Sequence, residues 1–103
     1  MPRVGLGNFR LSARACAQVH EVYDYSAATF GSYQANAYHA GLERTFGLLA
    51  DFPRIGQLAG ELAPGLRRFR FQAHHVYYTE DGDRIVIRAV YHHSRDIRPE
   101  LFE

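Results

Sequence analysis

The sequence contains no lysine and no tryptophan, and it has a single cysteine among its 103 residues. Cys16 has no second thiol in this chain with which to form a disulfide, and a lone cysteine makes no Cys-x-x-Cys metal motif. We therefore expect a reducing, cytoplasmic environment and interpret Cys16 as a small buried helix residue rather than a nucleophile. No apolar run reaches the roughly eighteen residues of a membrane span, so no membrane partner is expected.

Because lysine is absent, all twelve basic residues are arginines, yet the formal net charge is only +1. Arginine presents a planar donor fork that suits carboxylates and phosphates, which is compatible with an acidic partner. A codon bias toward arginine would give the same composition. A near-neutral chain does not supply the net basic field that usually captures nucleic acid, so no direct nucleic-acid partner is expected. No glycine-rich phosphate loop or HExxH motif occurs, and no cofactor is predicted.

Residues 1–103, of which 47% are apolar and 22% charged, are typical of one soluble globular domain. Apolar residues recur at intervals of three and four over 13–30 and again over 33–51, which predicts two amphipathic helices. Ser12 is the expected N-cap of the first helix. Gly31 is expected to end it, and Ser32 to cap the second, which gives an antiparallel helical hairpin.

The last third of the chain predicts three antiparallel strands, over 66–71, 74–79 and 84–92. Together with a short N-terminal strand over 8–11 they form one small sheet, so the fold class is α+β. The connecting segment 52–65 is rich in proline and glycine and is predicted to be a surface loop.

Asp81-Gly82 is a hairpin signal, and we expect the turn there to pair Thr79 with Arg84. Alternation then sorts the two hairpin strands into two faces. The face expected against the helices carries Val76, Tyr78, Ile85, Ile87, Ala89 and Tyr91. The other face carries His75, Tyr77, Val86, Arg88, Val90 and His92. Because this second set mixes aliphatic side chains with imidazoles and a guanidinium, we interpret it as an exposed binding surface.

Several motifs, in their order along the chain, resemble the ParE branch of the RelE/ParE toxin family. They are EVYDYSAATFG in the first helix, LLADFPRIG at the end of the second, ELAPGLRRF before the sheet, and HHVYYTEDGDRIVIRAVYHHSRD in the hairpin. The closing H-x-x-R-D is His92, Arg95 and Asp96. The resemblance runs from Phe9 to about Leu101.

The resemblance implies a helical hairpin packed against a small antiparallel sheet. It also implies a bacterial type II toxin that poisons DNA gyrase without being an enzyme, and that a cognate ParD-like antitoxin wraps and holds inactive. The family often places an arginine where this chain has Ala89. Here the arginine is Arg88, which in a regular strand moves the guanidinium to the other side of the sheet.

Two protein-binding surfaces follow from the resemblance. The antitoxin is expected to lay an amphipathic segment into the groove between hairpin and sheet, or to add an extended segment to a strand edge. The residues predicted in or near that contact are Tyr23, Tyr38, Arg68, Arg70, His75 and Tyr77. The residues predicted to face the target are Arg88, His92, Arg95 and Arg98.

A RelE-like mRNA endoribonuclease is the alternative function. Such chemistry needs cations to stabilise the developing phosphorane and a side chain that moves protons. The candidates are Arg68, Arg70, His75, Arg88 and His92. The near-neutral charge and the absence of the lysine pairs of ribosome-dependent RelE toxins favour the binding toxin. No metal site is predicted, because the members of each adjacent histidine pair point apart on a strand.

Overall fold

The computed structural model describes residues 8–103, which form a five-stranded sheet with a helical hairpin on one face. The elements in chain order are β1 (Phe9–Leu11), α1 (Ala13–Phe30), α2 (Ser32–Asp51), β2 (Gln57–Leu58), β3 (Arg67–Phe71), β4 (His74–Asp81), β5 (Arg84–His92) and a short 3-10 helix (Pro99–Phe102). The predicted α+β class is confirmed. None of the helices in this part of the chain has the length and apolar character needed to cross a membrane.

The sheet has the strand order β1-β5-β4-β3-β2. β3, β4 and β5 form the predicted antiparallel meander. β1 lies parallel to β5, with Phe9 opposite Ile85, and β2 lies antiparallel to β3. The two-residue β2 falls in the segment predicted to be a loop, so the sheet contains one strand more than the sequence predicted.

The helical hairpin begins and turns close to where the sequence predicts. Ser12 is the N-cap of α1, and its hydroxyl accepts from the Ala15 amide at 3.1 Å. Gly31 separates the helices with a φ of +93°, a conformation that residues with a Cβ rarely adopt. The predicted cap at Ser32 is wrong, because Ser32 is already helical and Gly31 takes the N-cap position without a side-chain bond.

The helix face of the sheet, defined by Val76, Tyr78, Ile85, Ile87 and Val90, packs against the helical hairpin. The helices contribute Ala15, Val19, Leu42, Phe46 and Leu49 to this core. The apolar stripe predicted for α2 is therefore confirmed. In α1 the buried positions are Ala15 and Val19, whereas Cys16 is exposed. The interpretation of Cys16 as a buried residue is wrong, since it lies one position off the buried stripe.

The hairpin between β4 and β5 turns one step later than predicted. Asp81 pairs with Arg84, so the turn consists of Gly82 and Asp83, with Gly82 at a φ of +65°. A two-residue turn is the tighter solution and lengthens β4 to Asp81. Thr79 consequently lies opposite Val86, and the predicted pairing of Thr79 with Arg84 is wrong.

A β-bulge at Arg88 changes which side chains share a face. Tyr78 pairs with Ile87 but Tyr77 pairs with Ala89, so Arg88 is an extra residue in β5. The bulge shifts the alternation by one residue. Ala89 and Tyr91, predicted to meet the helices, lie on the opposite face, whereas Val90 and His92, predicted to lie opposite, share the helix face with Val76 and His74.

The opposite side, which we call the outer face and define by Tyr77, Ala89 and Tyr91, carries a second apolar cluster. Ala59, Leu66 and residues of the C-terminal segment, including Phe102, pack on it. Tyr77 is fully buried there, with its ring centroid 5.1 Å from that of Phe102. The expectation of an open binding surface along this face is therefore wrong, because 59–66 and 97–102 cover its apolar part.

The FPRIG motif is held against the sheet by side chains of β3 and β4. The Tyr78 hydroxyl accepts from the Gly56 amide at 2.9 Å and donates to the Pro53 carbonyl at 2.7 Å. Arg67 donates to the carbonyls of Arg54 and Gly56. A Cβ on Gly56 would lie 2.3 Å from the Tyr78 hydroxyl oxygen, so the close approach requires glycine.

Candidate binding surfaces

Arg68, Arg70 and His75 form a cationic cluster on the outer face. Arg70 lies opposite His75, and Arg68 lies opposite Tyr77 on the same face. Arg68 bonds to the Gln57 side chain and Arg70 to the Gln72 carbonyl, and neither has a carboxylate partner among residues 8–103. Burial, followed by these two guanidiniums, lowers the pKa of His75 below its usual value. The cluster is chemically suited to accept acidic side chains of a partner.

Tyr38 and His74 form a half-buried pair between α2 and the end of the sheet. The Tyr38 oxygen lies 2.7 Å from Nδ1 of His74 and accepts from the Ala73 amide at 3.2 Å. The Tyr38 hydroxyl also lies 3.4 Å from the Phe71 carbonyl, to which it can donate. Burial, followed by repulsion from His92, lowers the pKa of His74 to about 4. Burial also raises the pKa of Tyr38. The Tyr38 hydroxyl is therefore already bonded within the protein, to His74 and Ala73.

His92 lies opposite His74 on the helix face, with 5.4 Å between their ring centroids. Its Nδ1 is 2.7 Å from the Ser94 hydroxyl oxygen. Beyond β5, Arg95 lies over the Tyr91 ring at 5.2 Å, and Arg98 pairs with Asp96 at 2.9 Å. These target-facing candidates all have local partners. Within residues 8–103 no three histidine, cysteine or acidic side chains are grouped as a metal site.

Arg88, the bulge residue, is held by two hydroxyl groups. Its carbonyl accepts from the Ser12 hydroxyl at 2.9 Å, and its Nε donates to the Thr79 hydroxyl at 3.0 Å. Thr79 is on the same face as Tyr77, so the guanidinium extends along the outer face. Arg88 is the middle residue of the nine in β5, so it lies between the hairpin turn and the end of the strand where His75 and His92 lie.

The residues named for ribonuclease chemistry do not share one site. Arg68, Arg70 and His75 lie together on the outer face, but His92 is on the helix face and Arg88 is in the middle of β5, bonded to Thr79. Of the remaining antitoxin candidates, Tyr23 donates to the Asn36 side chain at 2.7 Å. Tyr77 is fully buried and offers no side-chain surface.

The predictions from the sequence do not include a set of exposed apolar side chains that follow one another along the chain from the end of α2 to β2, which we call the apolar row. Its members are Leu48, Phe52, Ile55 and Leu58, which are 41%, 57%, 47% and 62% exposed. A shallow cleft of about 680 Å³, lined by Phe9, Gly47 and Leu48 among others, lies beside it. The four-residue spacing of Leu48 and Phe52 is the signal that could have indicated it.

The chain matches known toxins over nearly its whole length. The family model described as "ParE toxin of type II toxin-antitoxin system, parDE" matches residues 9–97. Toxin ParE1 of Caulobacter vibrioides is 36% identical over 93 residues, covering 90% of this chain and 96% of that protein. Toxin ParE1 of Mycobacterium tuberculosis is 32% identical over 94 residues, with the same shares covered.

The fold is also that of a solved toxin–antitoxin structure. A chain of the chromosomal ParDE system from P. aeruginosa superposes with a TM-score of 0.72 at 16% identity, covering 85% of this chain and 97% of that one. At that identity the likeness supports the fold alone. The family match and the curated relatives carry the assignment, and this chain belongs to the ParE toxin family of type II toxin–antitoxin systems.

Proposed function

We propose that this chain is a cytoplasmic ParE-type toxin that arrests growth by binding DNA gyrase, and that a ParD-like protein antitoxin neutralises it. The observation that carries the proposal is the match to the ParE toxin family across residues 9–97. The action is binding rather than catalysis. The near-neutral charge of the chain supports this, because an RNA substrate is normally captured by an extended basic field, whereas the net charge here is only +1.

The antitoxin surface that we propose runs around the edge of the sheet formed by β2 and β3, from the apolar row to the cationic cluster on the outer face. β2 is an edge strand of only two residues, so within residues 8–103 Phe69, Arg70 and Phe71 have no strand neighbour on that side. An amphipathic or extended antitoxin segment would bury its apolar side chains on the row and direct its carboxylates toward Arg68, Arg70 and His75. Tyr23 and Tyr38 remain proposed contacts of the helical hairpin, whereas buried Tyr77 is not included.

The proposed antitoxin surface is tested by measuring antitoxin affinity for exposed-residue variants. Phe52→Ser and Leu58→Ser should each weaken binding by about tenfold or more, since both side chains are more than half exposed and contribute little to the core. The matched control is Tyr33→Ser, because Tyr33 is 86% exposed at the far tip of the helical hairpin. Equal affinities for all three variants would place the antitoxin elsewhere.

The target is tested with purified gyrase and, separately, with mRNA in the presence and absence of ribosomes. We expect the free toxin to inhibit supercoiling and to leave the transcripts intact. Transcript cleavage with normal supercoiling would overturn the gyrase proposal and restore the ribonuclease alternative. The antitoxin complex should be inactive in the supercoiling assay.

A further inference from the structure

A cleft of about 350 Å³ lies on the outer face, where the start of α1, the β4–β5 hairpin and the C-terminal segment meet. Leu66 and Phe102 are among the apolar residues that line it, and Arg14 and Arg88 are the two arginines that line it. We propose that this cleft binds an acidic segment of the toxin's protein target. One carboxylate lies between the two arginines, and one apolar side chain packs against Pro64 and Phe102. The identity of that target rests on the proposed function, but the chemistry of the cleft does not.

Arg88 is positioned for this role before any partner arrives. The bulge removes it from the regular alternation of β5, and the Ser12 hydroxyl fixes its carbonyl. The Thr79 hydroxyl binds only Nε, which leaves both terminal nitrogens of the guanidinium to donate. A guanidinium held in one orientation loses little entropy when it binds a carboxylate through two parallel hydrogen bonds.

The charges around the cleft favour an anion. Neither Arg14 nor Arg88 has a carboxylate partner within residues 8–103, although Glu103 also lines the cleft. Both guanidiniums are therefore available. The N-terminal end of α1 lies here as well, since Ser12 lines the cleft, and the partial positive charge of an 18-residue helix adds to the field.

The walls and the overall charge favour a protein segment over nucleic acid. Ala63, Pro64 and Phe102 form an apolar wall of the kind that accepts an aliphatic side chain, and the volume is at the small end of ligand sites. A phosphate backbone is normally held by an extended basic field, whereas this chain has a net charge of only +1 and Glu103 at the cleft.

The test is an NMR titration of the full chain with a short, end-blocked peptide of alternating glutamate and leucine. Amide shifts should concentrate at Ser12, Thr79 and Arg88, and the same peptide with glutamine in place of glutamate should bind at least about tenfold more weakly. Arg88→Gln should reduce affinity for the acidic peptide by a similar factor. Arg44→Gln, an equal charge change at an exposed position of α2, should leave it unchanged.

Thr79→Val separates positioning from charge, because it keeps Arg88 but removes the hydroxyl that orients the guanidinium. We expect this variant to bind the acidic peptide several-fold more weakly, with the folded spectrum retained. No shifts at Ser12, Thr79 and Arg88, equal binding of the glutamine peptide there, or equal losses in Arg88→Gln and Arg44→Gln would overturn the inference. So would a single-stranded oligonucleotide that binds the same residues more tightly than the peptide.

The outcome is independent of the gyrase assay. If the wild-type chain inhibits gyrase but the acidic peptide does not bind the cleft, the proposed function stands and this inference fails. If the peptide binds the cleft as described while gyrase is unaffected, the cleft stands and the proposed target is wrong.

Discussion

The adjacent residues Tyr77 and Tyr78 give the sharpest test of how the FPRIG segment is held. Both side chains are fully buried, and they lie on opposite faces of β4. The Tyr78 hydroxyl makes two hydrogen bonds to the segment, to the Gly56 amide and the Pro53 carbonyl. The Tyr77 hydroxyl is buried without a hydrogen-bond partner in the described part of the chain.

Replacing Tyr78 with phenylalanine leaves the buried Gly56 amide without its acceptor and the Pro53 carbonyl without its donor. An unsatisfied buried amide costs about 1–3 kcal/mol, so we expect the free energy of unfolding to fall by about 2 kcal/mol. For a domain of this size, that loss lowers Tm by roughly 8–16 °C. Tyr77→Phe removes a hydroxyl that is already unsatisfied, and we expect a change within about 0.5 kcal/mol, toward higher stability if any.

The measurement is urea unfolding of the wild type and both variants, followed by circular dichroism, with calorimetry to compare Tm. The two substitutions remove the same atom from the same residue type, so transfer and packing contributions are matched. Equal destabilisation of the two variants would refute the hydrogen-bond reasoning. A loss at Tyr77 alone would show that its hydroxyl has a partner in solution.

Three further substitutions follow from the structure. Gly41→Ala should lower stability by about 1–2 kcal/mol, because its Cβ would lie 2.6 Å from the Phe71 ring, whereas Gly60→Ala, with open space around it, should be neutral in the same thermal melts. The free energy of unfolding should fall as pH drops from 6.5 to about 4, because over that range His74 is protonated in the unfolded chain but stays neutral in the folded one. In His74→Gln this pH dependence should be smaller, as measured by urea unfolding at several pH values. Ser12→Ala should lower the free energy of unfolding by about 1 kcal/mol, because α1 loses its N-cap. The amide chemical shift should change more at Arg88 than at Arg44, since the Ser12 hydroxyl also donates to the Arg88 carbonyl.

Local signals were enough to predict the hairpin of helices and the antiparallel meander. Ser12 and Gly31 mark the ends of α1 because capping depends on a few neighbouring atoms, and the stripe of α2 reports its buried face directly. The exact strand pairing was not predictable in the same way. Asp81-Gly82 and Gly82-Asp83 are both acceptable turns, and only tertiary packing selects between them.

The candidate surfaces were harder to predict because they depend on one extra residue in β5. The bulge at Arg88 places Val90, Tyr91 and His92 on the faces opposite to those predicted from regular alternation. The residue types around Arg88 give no signal of a bulge. The burial of Tyr77 likewise depends on Phe102, which is 25 residues away in sequence, so the outer face could not be recognised as covered. Arg68, Arg70 and His75 share the outer face because the pairing of β3 with β4 is regular, and their contact with the antitoxin stays a prediction.

The most direct test of the central claim is to incubate gyrase and plasmid DNA with the purified chain, then denature the protein and quantify linear DNA. We expect linear plasmid, the mark of a gyrase–DNA complex trapped with its strands cut, to accumulate with toxin concentration and to disappear when an equal amount of antitoxin is added first. Unchanged supercoiling with no linear DNA, at toxin concentrations that cleave mRNA, would contradict this expectation.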